Sequence, residues 1–111
     1  MSAPANRRHA LSGPSRAALS RLGADLAFAR IRRGFSLREA AGRLYVSVNT
    51  LRKLEAGNPG VSLGALVNAL QLYGLLDQLP ALADPATDRI GLALERRTLR
   101  RGAKGAADFD V

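Results

Sequence analysis

Hydrophobic residues recur every three or four positions through the middle of the chain, which is the spacing of helices that bury one face. The clearest run predicts a short helix whose inward face is formed by Leu37, Ala40, Ala41 and Leu44. Leu51 and Leu54 predict a second short helix directly after it. Two helices of this length cannot bury enough apolar surface by themselves. We therefore expect them to pack against helices on either side.

Polar residues mark the ends of these two helices. Ser36 and Glu39 match the S-x-x-E capping box, in which the two side chains satisfy free backbone N–H groups reciprocally. Ser47 is a second N-cap candidate, and Gly57, which precedes an Asn-Pro-Gly turn, is a helix stop. The pattern predicts one helix over residues 37–44 and another over residues 47–57, joined by a tight connection.

The same spacing predicts a helix on each side of this pair. The preceding helix begins at residue 15 or 20, runs to residue 33 and ends at Gly34, with an inward face of Leu19, Leu22, Leu26 and Ala29. Phe35 is expected to plug the junction into the next helix. A following helix begins at the N-cap candidate Ser62 and ends near Tyr73, with an inward face of Leu63, Leu66, Val67 and Leu70.

Taken together, the elements predict an all-α fold with five helices in one compact domain. The fifth helix is short, is formed around Leu75, Leu76 and Leu79, and is stopped by Pro80. Residues 15–80 make up this domain. Residues 1–14 are rich in Pro, Ala and Ser and are predicted to be a disordered arm. Residues 81–111 are predicted to be a turn-rich linker followed by a flexible basic tail with a short acidic end.

Charge is distributed unevenly over the 111 residues. Residues 1–60 contain 11 Lys and Arg against 3 Asp and Glu, whereas residues 61–111 contain 6 of each. The net charge of +8 therefore belongs to the half that contains the paired short helices. A concentrated basic surface is typical of proteins that bind a polyanion. Solubility alone is the alternative explanation.

Several classes of function are not expected. The chain has no cysteine, which excludes disulfides and thiolate metal sites, and its one histidine, His9, lies in the predicted arm. No group of residues resembles a catalytic constellation, so we expect no enzyme, no metal and no cofactor. No apolar run approaches the ~18 residues that a membrane helix needs. We expect a cytoplasmic protein without a membrane partner.

The paired helices resemble the helix-turn-helix of the Xre/Cro/phage-repressor family over residues 22–76. The residues that match are Arg30, Ser36, Glu39, Ala41, Leu44, Val46, Ser47, Thr50, Leu51, Leu54, Glu55 and Gly57. The resemblance implies a lambda-repressor-like domain that binds DNA, with the helix after Ser47 in the major groove. It also implies a structural ion pair between Arg30 and Glu55; a phosphate contact by Arg30 is the alternative.

A set of DNA-contacting residues follows from this resemblance and from the inward direction of Leu51 and Leu54. The outward positions of the recognition helix are Val48, Asn49, Arg52 and Lys53, which can pack on a thymine methyl group or bond to base edges and phosphates. The remaining candidates near the phosphates are Arg32, Arg33, Ser36, Arg38 and Ser47. Three departures from the family pattern are present. Leu37 replaces a phosphate-binding glutamine, Tyr45 replaces the turn glycine, and Val48 stands where a polar base-reading residue is common.

The end of the predicted domain points to protein partners. The run LVNALQLYGLLDQL has more leucine than one buried face needs, which favours a homodimer surface formed by Leu70, Tyr73, Leu75, Leu76 and Leu79. Ordinary core packing is the alternative. The pattern GLL-x-x-L-x-x-x-x-DP and the tail after Glu95 resemble HipB-like antitoxins, which are paired with HipA-type kinase toxins.

These observations bear on three possible functions. A dimeric, sequence-specific transcriptional regulator on an inverted-repeat operator, which we expect to be an autorepressor, explains the motif and the charge together. An antitoxin whose main role is to restrain a HipA-type kinase is the alternative. An RNA-binding protein is disfavoured because its five aromatic residues are scattered and predict no stacking surface.

Overall fold

The computed structural model of the protein describes residues 10–101, and every regular element among them is helical. The predicted all-α class is confirmed. The α-helices are α1 (Gly13–Arg32), α2 (Leu37–Leu44), α3 (Val48–Glu55), α4 (Leu63–Leu72) and α5 (Arg89–Arg100). Two 3-10 turns, Leu76–Gln78 and Pro80–Ala83, lie between α4 and α5. Within the described part of the chain, no helix is long and apolar enough to cross a membrane.

The chain divides into two compact units, with the boundary between Leu76 and Asp77. The first unit contains α1–α4, and the second contains most of the 3-10 segment together with α5. The core of the first unit consists of Leu26, Ala29, Ala40, Ala41, Leu44, Leu51, Leu54, Ala69 and Tyr73. In this core α3 packs against α1 and α2, and α4 packs against α2.

Serine side chains begin the helices of the first unit. The hydroxyl oxygens of Ser36, Ser47 and Ser62 each accept a hydrogen bond from the backbone N–H three residues later, as the sequence predicts. The long helix α1 begins earlier than predicted, because Ser12 caps it and Pro14 fits its first turn. The predicted arm is therefore wrong for residues 13 and 14, and residues 1–9 lie outside the described residues.

The buried face of α4 differs from the prediction. Ala65, Ala69 and Tyr73 are buried, whereas Leu63 is 78% exposed. Leu66 and Leu70 are only partly buried at the edge of the core. The buried residues stand at positions i, i+4 and i+8, so α4 turns a different face to the core from the one predicted, and Leu63 lies on nearly the opposite side of the helix from Ala65.

The elements after α4 also differ from the prediction. No single helix forms around Leu76 and Leu79; Pro80 begins the second 3-10 turn, where its missing N–H costs nothing. The predicted linker and tail are wrong over Arg89–Arg100, which form α5. The Asp88 carboxylate caps α5 by accepting a hydrogen bond from the backbone N–H of Gly91 at 2.9 Å. The acidic end of the predicted tail lies outside the described residues.

Candidate nucleic-acid interface

A tight connection of three residues, 45–47, sets the angle between α2 and α3. Tyr45 has a left-handed backbone (φ 55°, ψ 38°). The N–H of Tyr45 donates to the carbonyl of Gly42, and the N–H of Val46 donates to the carbonyl of Ala41 at 3.1 Å. These two bonds form a Schellman ending, which normally uses glycine at the left-handed position. The predicted conflict between Tyr45 and the turn is therefore present in the structure.

The helix after this turn, α3, has two distinct faces. Leu51 and Leu54 are buried in the core, whereas Asn49, Arg52 and Lys53 are exposed. The exposed residues stand at positions i, i+3 and i+4, so their side chains share one face. Their amide, guanidinium and ammonium groups are those that proteins use to bond to adenine, guanine and phosphate. The first turn of α3 is held by Ser47, whose hydroxyl also donates to Thr50 Oγ1 at 3.0 Å.

Val48 occupies a different position from the one predicted. Its side chain is partly buried and packs against the core. The outward set of α3 is thus reduced to three polar residues. The spacing from Leu51 and Leu54 predicts an outward direction for Val48. That spacing does not show how closely the rest of the domain approaches the first residue of the helix.

A bidentate ion pair fixes the other end of α3. Arg30 Nε donates to Glu55 Oε2 at 2.7 Å, and Arg30 Nη2 donates to Glu55 Oε1 at 3.1 Å. The two side chains are only 12% and 11% exposed, and Arg30 Nη1 also donates to the carbonyl of Phe35 at 2.9 Å. The hydrogen bonds that Arg30 donates to the Glu55 carboxylate raise the pKa of Arg30. With all three nitrogens engaged, Arg30 orients α3 and is not positioned as a phosphate ligand.

Arg33 is also engaged within the protein, in contrast to its predicted contact with phosphate. Its guanidinium donates to the carbonyl of Ala29 at 2.8 Å and to the carbonyl of Tyr73 at 2.7 Å. The same group lies 5.7 Å from the centre of the Tyr73 ring. Arg33 therefore joins the C-terminal ends of α1 and α4, whose last carbonyls have no partner within the helix.

Tyr73 does not belong to the predicted dimer surface. It is 3% exposed and lies in the core, and this burial raises the pKa of its hydroxyl. Leu70 and Leu75 are partly buried against the same core, whereas Leu76 is more exposed and Leu79 belongs to the second unit. More residues of the leucine-rich run pack in or against the core than the sequence predicts.

The N-terminus of α2 carries two of the predicted phosphate contacts. Ser36 Oγ accepts from the N–H of Glu39 at 3.0 Å, and Glu39 Oε1 accepts from the N–H of Ser36 at 3.1 Å. These bonds complete the predicted capping box and lower the pKa of Glu39. Arg38 is exposed beside the box. Leu37 packs against the core, which explains how an apolar residue is accommodated at this helix start.

Two further arginines of this unit lie over aromatic rings. Arg32 stacks 4.3 Å from the centre of the exposed Phe28 ring on α1. Arg43 of α2 lies 4.8 Å from the centre of the Phe35 ring. Arg43 is not among the predicted contacts, although its position off the inward face of α2 identifies it as an exposed cation. Stacking on a ring limits the number of orientations that each guanidinium group can adopt.

The family model described as a helix-turn-helix domain matches residues 21–82, which is more than half of the chain. The chain belongs to the helix-turn-helix domain family. This match covers the C-terminal part of α1, the pair α2 and α3, and α4, and it confirms the predicted motif. Comparisons with curated proteins and with solved structures gave no match. In this helix-turn-helix domain α2 precedes the turn, and α3 is the helix at the recognition position.

Proposed function

We propose that the protein is a DNA-binding transcriptional regulator that reads the major groove with α3. The observation that supports this most directly is the shared face of Asn49, Arg52 and Lys53. The opposite face of the same helix is buried, and its C-terminal end is held by the Arg30–Glu55 pair. A rigid helix that presents an amide and two cations on one side matches what base readout requires.

The phosphate contacts of this proposal are fewer than the sequence predicted. Arg30 and Arg33 hold the fold together. Arg38 at the start of α2 and the hydroxyl of Ser36 at its N-cap are the groups we assign to the DNA backbone. The hydroxyl of Ser47 donates to Thr50 Oγ1, so the predicted phosphate contact by this side chain is not part of the proposal. Helix N-termini are suited to phosphate because their free N–H groups and helix dipole favour an anion. Arg32 can approach the backbone from its stack on Phe28.

A homodimer on an inverted-repeat operator is the assembly we propose. Two copies related by a two-fold axis would place their α3 helices in successive major grooves, about 34 Å apart. Of the predicted dimer residues, Leu76 and Leu79 are the ones outside the core cluster. Autorepression is the simplest regulatory role for such a dimer when the operator lies upstream of its own coding sequence.

Binding of the full chain to its own upstream DNA tests this proposal. Fluorescence anisotropy would compare that fragment with a shuffled duplex of the same composition at two salt concentrations. We expect tighter binding to the upstream fragment, with a salt slope that reports several displaced counterions. Equal affinity for both duplexes would contradict sequence-specific regulation from this site.

A role as a HipB-like antitoxin is the second proposal. The segment that carries this resemblance, residues 74–85, contains Leu82, which is 79% exposed on the second 3-10 turn. An exposed leucine in the segment that resembles the antitoxins is a suitable contact for a protein partner. Co-purification of the full chain with the product of the adjacent gene tests it; Leu82→Ser should weaken that complex, and Leu63→Ser on α4 is the matched control.

A further inference from the structure

The charges of residues 61–111 cancel in number but are separated along the chain. Four arginines lie within α5, together with a single acidic residue, Glu95. The acidic residues Asp77, Asp84 and Asp88 all precede this helix. The neutral total for residues 61–111 therefore includes a strongly basic helix within the predicted tail.

Three of these arginines fall into one row. Arg89, Arg96 and Arg100 occupy positions i, i+7 and i+11 of α5. With 3.6 residues per turn they point within about 40° of one another, and they extend over about 16 Å of the helix axis. We call these three residues the arginine row. Arg97 lies about 80° away from the centre of the row on the same geometry.

The row lies opposite the less exposed side of α5. Gly91 and Thr98 are the least exposed residues of the helix, and they lie roughly opposite the row around the helix axis. Within residues 10–101, the ion pairs are Arg21–Asp25 and Arg30–Glu55, so neither involves α5. The Asp88 carboxylate, the nearest acid before the helix, is occupied as its N-cap.

The distribution of apolar residues distinguishes between two anionic partners. Ile90 lies on one side of the row, and Leu92 and Leu99 lie on the other. A helix that rests on a membrane surface needs one continuous apolar face opposite its basic face. The residues nearest the position opposite the row are Thr98, Gly91 and Leu94, with Glu95 next to them. Threonine, glycine and glutamate therefore interrupt the apolar residues of this face, which favours a phosphate backbone over a lipid surface.

We propose that the arginine row is a second phosphate-binding element, which contacts the backbone of duplex DNA without reading its sequence. This inference rests on the proposed function in that it assigns the same DNA to both helices. One strand of B-DNA carries a phosphate every ~3.4 Å along the axis, so the row is long enough to face about five phosphates. Arginine bonds to phosphate oxygens through a planar fork of donors.

The test is the salt dependence of DNA binding by the full chain. The triple variant Arg89→Gln, Arg96→Gln, Arg100→Gln should weaken binding to the upstream and shuffled duplexes by the same factor, on the order of tenfold to a hundredfold near 0.15 M salt. The log–log salt slope should become shallower by about 2.7, since each phosphate contact contributes about 0.9. Glutamine favours helix, and circular dichroism would verify that helix content is kept.

Two control variants make the result specific to the row. The corresponding triple change to lysine keeps the charges and should keep most of the slope. Arg97→Gln removes the same charge as its neighbour Arg96→Gln but lies outside the row, and it should change the slope by less than half as much. If Arg96→Gln and Arg97→Gln changed the salt slope equally, only the total charge of α5 would matter. The proposed role of the arginine row would then be wrong.

The remaining outcomes separate this inference from the proposed function. If the triple glutamine variant kept both its salt slope and its preference for the upstream duplex, the arginine row would not contact phosphate. The proposal that α3 reads the DNA sequence would be unaffected. If the salt slope became shallower in the triple glutamine variant but the parent protein showed no preference for the upstream duplex, the phosphate contact by the arginine row would be supported. The proposal of a sequence-specific regulator would fail. If the triple variant lost binding to anionic phospholipid vesicles but kept its DNA slope, the row would be a membrane contact, contrary to our proposal.

Discussion

Gly23 in the middle of α1 lies directly against Gly57, the residue that ends the turn after α3. A Cβ atom placed on Gly23 would be 2.7 Å from the backbone nitrogen of Gly57 and 2.6 Å from the carbonyl oxygen of Glu55. A Cβ atom on Gly57 would be equally close to the backbone of Leu19 in α1. The approach of two backbones brings Glu55 into reach of Arg30, so the glycine pair and the ion pair fix α3 together.

Gly23→Ala should lower the free energy of unfolding by about 3 kcal/mol, because a methyl group cannot fit between two backbones without moving a helix. Gly42→Ala is the matched control, since no atom lies within 4 Å of a Cβ at that position. The control should be stabilised by about 1 kcal/mol through the higher helix propensity of alanine. Urea denaturation measures both; equal behaviour of the two variants would show that the close approach is absent in solution.

Tyr45→Gly should raise the free energy of unfolding by about 1 kcal/mol. The left-handed conformation at φ 55° is costly for a residue with a Cβ atom and is not for glycine. The side chain is 95% exposed, so little packing is lost. Thermal unfolding would show a higher Tm for the variant. Tyr45→Ala keeps the Cβ and serves as the control; it should leave the Tm nearly unchanged.

Asn49→Ala should weaken binding to the specific duplex by about 1–3 kcal/mol and relax base preference at one position. Affinity for a shuffled duplex and the thermal stability should stay the same, because the side chain is exposed and lies outside the core. Anisotropy titrations on both duplexes measure the effect. A parallel loss on both duplexes would show that Asn49 contacts phosphate and does not read a base.

Arg33→Ala should destabilise the fold by about 1–2 kcal/mol, since it removes two charge-assisted hydrogen bonds to helix-terminal carbonyls. The salt slope of DNA binding should be unchanged, because the guanidinium is engaged within the protein. Tyr73→Phe keeps the ring and the carbonyl that Arg33 contacts and removes only a buried hydroxyl that has no hydrogen-bond partner among the described residues. It should not lower the Tm.

The capping box should make stability depend on acid pH. The pKa of Glu39 is lower in the folded protein than the 4.5 of the free side chain, chiefly because of the hydrogen bond from the backbone of Ser36. The ionised carboxylate therefore stabilises the fold above about pH 4.5, and this contribution is lost as the pH falls through the lower folded value. In Glu39→Gln this part of the pH dependence should disappear, so the stability curves of variant and parent should converge at low pH.

The sequence by itself determined the local features of the helix-turn-helix domain. Ser36, Ser47 and Ser62 begin their helices because each hydroxyl bonds to a nearby backbone N–H, an interaction contained within four residues. The spacing of Leu51 and Leu54 likewise identified the exposed side of α3. The family resemblance added the Arg30–Glu55 pair, which joins residues too distant for local spacing to connect.

Tertiary structure alone decided the features that depend on a neighbouring helix. Gly23 has no local reason to be glycine; its role follows from the backbone that crosses it. Arg33 has the composition of a DNA contact, but two carbonyls from separate helices capture it. Ala65, Ala69 and Tyr73 fill the core in place of Leu63 because the rotation of α4 about its axis, which its packing against α2 fixes, decides which face is buried. The spacing of apolar residues predicts which side chains share a helix face. Only the packed structure shows which face is buried and how closely it approaches the neighbouring helix.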